Sequence, residues 1–269
     1  MALFCPVGAK GETASLQAKA SFRPEGVVSV ISVTPHRLVI PSGSKTGLVS
    51  VVNKSEKERR YTLRMADQVM DDTGATWLQD GFIYSAAGMT KFVPKEFSVQ
   101  PGQRQVVRVL VSRPEGLADG DYHSHLVFHE VLPGKEDEGK EAGNKKAPYG
   151  IAMPMVIQQG KIDSSIAIGD IRLGGKALGL PRLLIVELTR QGNAEATGKL
   201  SASYLEEGKK PVELVRPQRV YLYREVNKIF REFKLSGLPE DAAGGKIAVY
   251  LMRDENDGSK TLKQEIPLD

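Results

Sequence analysis

The sequence predicts an all-β protein made of two β-sandwich domains in tandem. Three observations predict it. Apolar and polar residues alternate with period two along most of the 269-residue chain, the pattern of half-buried strands. Turn-forming clusters (PSGS, DDTG, PGQ, ADGD) break these runs every 8–12 residues or so, the spacing of antiparallel sandwiches. The apolar share, 41%, suffices for one large core or two modest ones, and the length favours two domains.

Taken in order, residues 1–26 read as a flexible segment, with Cys5 a free thiol in it. Strands are predicted at 27–33, 37–40, 46–53, 59–65, 96–99, 105–112 and 122–131, and a last one at 150–158, giving a first domain over 27–160. The loop 133–148, with KEDEGKE and GNKK, is low in hydrophobicity and is expected to be disordered. After the boundary at QQGKID (158–163), a second set is predicted at 164–173, 182–190, 196–207, 212–225, 229–237, 246–255 and 261–268. These fill a second domain, 161–269.

Several function classes are excluded early. The net charge of +4 is too weak and dispersed to argue for nucleic acid. No run of about 18 apolar residues exists, so no membrane insertion is expected. The GGK at 174–176 lacks the rest of a phosphate loop, and neither G-x-S-x-G nor H-E-x-x-H occurs. Asp71 and Asp72 in MDDTG read as turn residues, not a catalytic pair. With no nucleophile, base and orienter in view, the expectation is no enzyme and no cofactor. A sugar-binding or hydrolytic sandwich would need clustered acids and exposed aromatics, and the one tryptophan (Trp77) and eight tyrosines give it little support.

VTPHRLVIPSGSKTGLVSVVN, then FSVQPGQRQVVRVLV, then LADGDYHSHLVFHEV resemble, in order and spacing, the PapD-like periplasmic pilus-assembly chaperones of the chaperone–usher pathway. The likeness covers most of 27–162 and suits an atypical branch. It implies two immunoglobulin-like domains in a boomerang arrangement, without catalysis. It implies pilin-like subunits and an outer-membrane usher as partners, and a periplasmic location with the signal peptide absent here. The first domain of such a chaperone lends its last strand to a subunit that lacks one. Basic residues in the interdomain cleft grip the subunit's terminal carboxylate. Self-association through the exposed edge strand is a further possibility.

In GIAMPMVI, period two puts Ile151, Met153, Met155 and Ile157 on one face. This is the expected donor strand. Methionine adapts to variable grooves, and Pro154 suits an edge strand. Burying the stripe in a partner is worth roughly 6–12 kcal/mol before ordering costs. The other fate open to that face is to fill the protein's own core.

The resemblance places the carboxylate anchor at Arg37, in PHRLVI, with Lys161, in QQGKI, as a looser second match; ordinary surface charge is the alternative for both. It places a structural ion pair at Arg108, with Glu130 and Asp121 as available acids. Where many members carry a glutamate, this chain has His123, so interdomain pairing is expected to be rearranged. His123, His125 and His129 share a strand face, but His125 and His129 lie roughly 13 Å apart. The three cannot meet on one zinc, whose ligands sit at about 2.1 Å, so no metal site is expected, although a pair with a third ligand from elsewhere stays open. The expected function is a periplasmic chaperone acting by donor-strand complementation. The alternative is a surface-exposed tandem of structural or adhesive immunoglobulin-like modules, in which the strand at 150–158 is fully paired and its face buried at home.

Overall fold

A computed structural model describes residues 30–79, 81–131, 150–174, 182–239, 242, 244–253 and 261–268. The expected flexible start (1–26, with Cys5) and the loop 133–148 lie outside the described residues.

The protein is all-β, with two sandwiches in tandem. In the first, one sheet has the order β1 (Ile31–Thr34), β3 (Thr46–Asn53), β9 (Arg104–Val111), β7 (Thr90–Val93). The facing sheet has the order β2 (Leu38–Ile40), β11 (Gly150–Gln159), β10 (Gly120–Val131), β4 (Arg59–Ala66), β8 (Glu96–Val99). The chain changes sheets between β1 and β2. β1 runs antiparallel to β3, whereas β2 runs parallel to β11. Alternation decides what lies inside: Val49, Val51, Val107 and Val109 from one sheet meet Leu126 and Phe128 from the other.

The second sandwich packs β12 (Ser164–Gly174), β13 (Leu183–Gly192) and β16 (Lys228–Lys234) on β15 (Val212–Leu222), β14 (Ala196–Leu205), β17 (Lys246–Arg253) and β18 (Thr261–Pro267). Its core includes Leu184, Leu188, Leu200, Leu222, Ile229 and Leu251. Among the described residues no helix is long and apolar enough to cross a membrane.

One hairpin joins the two halves. β5 (Gln68–Met70) and β6 (Thr76–Leu78) flank a turn in which Asp71 Oδ1 accepts the Thr73 and Ala75 N–H groups. Asp71 is thus a turn residue, as its sequence context predicts. The turn reaches the second sandwich, where the Phe230 N–H of β16 donates to Asp72 O at 2.7 Å. Met70 is buried in the second core. A strand edge that would stand open is thereby covered.

Candidate functional site

The predicted donor face is the first correction. Met153, Met155 and Ile157 are 1%, 0% and 0% exposed and belong to the first core, with Ile151 packed partly against it. The stripe fills its own sandwich. Periodicity shows that one face is apolar but not whose groove it fills. Here it belongs to one core cluster with Phe128 of the neighbouring β10 and with Val49, Val51, Val107 and Val109 of the facing sheet.

The backbone of β11 is satisfied unevenly. β10 pairs with it along its full length, Gly120↔Gln159 to His129↔Gly150. β2 pairs with its other flank only at Met155, Val156 and Ile157. No strand lies on that flank from Gly150 to Pro154 among the described residues. Ala152 is exposed and Pro154, without an N–H, is half-buried at the junction of paired and open stretches.

Arg37 stands at the entry to β2, where the sandwiches meet. Its guanidinium pairs with Glu195, in the turn between β13 and β14, and lies 5.0 Å from the Tyr221 ring centroid, within cation–π range. Burial and the neighbouring Asp121 carboxylate push Glu195 up, against the pull of Arg37. Asp121 Oδ2 accepts the Glu195 N–H at 2.7 Å, while Asp121 Oδ1 is buried without a hydrogen-bond partner among the described residues. Burial pushes this carboxyl up too. Arg224 donates to the carbonyls of Asp121 (2.9 Å) and Asp119 (3.1 Å) and lies over Tyr84, 4.2 Å from its centroid. Beside this cluster, His123 Nε2 is 3.0 Å from Glu225 Oε2.

The other expected residues scatter. Lys161 lies in the linker, held by its backbone: its N–H donates to Asp119 Oδ2, and its carbonyl accepts from Asn193 Nδ2. Its side chain is exposed, and among the described residues it makes no hydrogen bond with Arg37. Arg108 is a second correction. Alternation in β9 turns Val107 and Val109 inward and Arg108 out, beside Leu48 of β3 and Val93 of β7. Of its two expected partners, Glu130 pairs with Arg59 and Asp121 holds the Glu195 backbone. Arg108 makes no ion pair among the described residues.

His125 is buried, and burial, aided by His123 and Arg37, lowers it to about 4. It is a neutral imidazole at neutral pH. Among the described residues no three His, Cys, Asp or Glu side chains are grouped to hold a metal ion.

Sequence reading missed Glu195, Tyr221, Tyr223, Arg224 and Glu225, the second sandwich's share of the junction. The available signal was YLYRE at 221–225, where aromatic and charged residues crowd the end of a strand.

No protein-family model matches the chain, and no curated protein matches it. Solved structures do. A chain of the CsuC–CsuE chaperone–tip adhesion subunit pre-assembly complex of Acinetobacter baumannii is similar at 13% identity and TM-score 0.48, over 89% of this chain and 99% of that one. The Pseudomonas aeruginosa CupB2 chaperone is similar at 12% and 0.43, over 88% and 100%. The E. coli chaperone DraB is similar at 11% and 0.45, over 88% and 96%. By its own strand order and its two cores, the chain is a tandem pair of immunoglobulin-like β-sandwiches.

Proposed function

We propose that the protein is a periplasmic chaperone that binds pilus-type subunits by lending them the open edge of β11, and passes them to an outer-membrane usher. The observation that carries this reading is the flank at Gly150–Pro154, which has β10 on one side and, among the described residues, no strand on the other. Free backbone N–H and C=O groups in a row template another strand. Strand addition draws generic affinity from such main-chain bonds. On this reading residues 27–160 form the subunit-binding domain and 161–269 the second domain. Arg37 receives the subunit's terminal carboxylate, and the exposed Lys161 supplies a second cation. No chemical step is required of it.

A specific observation favours a second reading, a surface-exposed structural or adhesive pair of modules. Met153, Met155 and Ile157 are buried at home, so less apolar surface is left for a partner than the sequence promised.

Hydrogen exchange separates the two. A pilus subunit domain prepared without its final strand is added, and amide protection along β11 is followed. Strand lending requires new protection within 150–153, with Val156 and Ile157 already protected by β2. A complex that forms without slowing exchange at 150–153, or no complex at all, overturns it.

A further inference from the structure

We propose, resting on the reading of Arg37 given above, that Glu195 is a built-in occupant of the Arg37 site, displaced when the terminal carboxylate of a partner chain binds. Three observations carry it. First, the guanidinium has a holder besides Glu195: it lies over the Tyr221 ring, with Tyr223 as a further neighbour. It therefore keeps its place when Glu195 leaves.

Second, the backbone of Glu195 is pinned independently of its carboxylate. Its N–H is held by Asp121 Oδ2. In the same turn, Asn193 O accepts the Asp121 N–H, while the Asn193 side chain bonds the linker at Lys161 and Asp163. The carboxylate can swing out by side-chain rotation while the turn stays put.

Third, the pair is not sealed. The Arg37 and Glu195 side chains keep 18% and 14% of their exposure, so another carboxylate has a route in. The exchange trades one charge-assisted hydrogen bond for another. The cost of removing Arg37 from water is already met by the fold. Glu195 regains its hydration and leaves the field of Asp121, the neighbour that disfavours its charge. Glu195 thus sets a threshold: it keeps the cation neutralised in the free protein and rejects neutral ligands that cannot replace its charge.

The test uses the whole chain and small probes. N-acetylglycine, which has a free carboxylate, and N-acetylglycinamide, which has none, are titrated against the Arg37 Nε–Hε resonance, assigned with Arg37→Lys. Glu195→Gln is expected to bind N-acetylglycine about tenfold more tightly than the native protein. The amide is expected to bind neither. Glu195→Asp, shorter but charged, keeps the backbone contact and is expected to fall between, and it serves if Glu195→Gln does not fold. Equal affinity in the native protein and both variants, or equal binding of the amide, overturns the proposal.

Exchange along β11 keeps the two proposals apart. New protection at 150–153 on subunit binding, with no gain from Glu195→Gln, leaves strand lending standing and makes Glu195 a plain clasp between domains. A gain without new protection supports Glu195 as occupant and removes strand lending.

Discussion

His123 of the first sandwich and Glu225 of the second meet at 3.0 Å, Nε2 to Oε2, with the rings of Phe82 and Tyr223 centred 4.9 and 4.5 Å from the imidazole. Glu225 also accepts the Met70 N–H at 2.9 Å. Burial pushes Glu225 up, but its bonds to His123 and Met70 hold it below the usual carboxylate range. His123→Phe keeps ring volume and removes the partner, leaving a half-buried acceptor short of a donor. A loss of about 1–3 kcal/mol is expected, read from urea unfolding. Glu225→Gln added to His123→Phe is expected to recover part of it.

Met70 ties the halves apolarly. It is 8% exposed and sits in the core of a sandwich to which its own strand does not belong. Met70→Ala is expected to cost about 2–5 kcal/mol, the range for emptying a buried site. Its signature lies far along the chain, as faster amide exchange at Phe230 and Ile229 in β16. A loss confined to the first sandwich would contradict this placement.

The two faces of β11 are expected to answer mutation in opposite ways. Met155→Asp buries an unpaired charge at a fully enclosed site, and the first sandwich is expected to unfold. That variant cannot report on partner binding. Ala152→Asp lies on the exposed side and is expected to shift stability by less than about 0.5 kcal/mol, while weakening capture of a strand-deficient subunit. Unchanged capture would remove Ala152 from the contact.

His125 gives a pH signature. Its imidazole is lowered to about 4 from 6.5, so between those values the unfolded chain takes up a proton that the native chain refuses. Stability from this group is present above pH 6.5 and is lost as pH falls toward 4. The shift corresponds to about 3 kcal/mol. The carboxyls of buried Asp121 and half-buried Glu195, both pushed up, act oppositely: their contribution is present at low pH and lost as pH rises through their native values. The comparison with His125→Gln isolates the histidine. Melting followed from pH 7.5 to 4.5 is expected to fall more steeply in the native protein.

Strand alternation and turn residues made most of the fold legible, because burial of one face is a local pattern. β3, β8 and β10 coincide with, or lie within two residues of, their predicted limits. β7 was missed because TKFV is short and interleaves Lys91 with Phe92. β5 and β6 were missed because DDTG was read as a turn without strands to join. The junction was less legible for a physical reason. Arg37 and Glu195 stand 158 residues apart, and an ion pair across domains leaves no periodicity behind. Arg37 was singled out by the family resemblance of the stretch around PHRLVI; that resemblance did not point to its partner. The apolar stripe of β11 was identified correctly as a stripe and assigned to the wrong groove.

The bond from Phe230 to Asp72 bears on how such a chain can be inherited in pieces. A recombination crossover near residue 160 would separate β16 from the hairpin that finishes it, and Met70 from the interior it plugs. The C-terminal half is therefore not a free cassette. An exchange that moves it into another gene without 68–78 is expected to leave the Phe230 N–H and the site of Met70 unfilled, at a cost in stability.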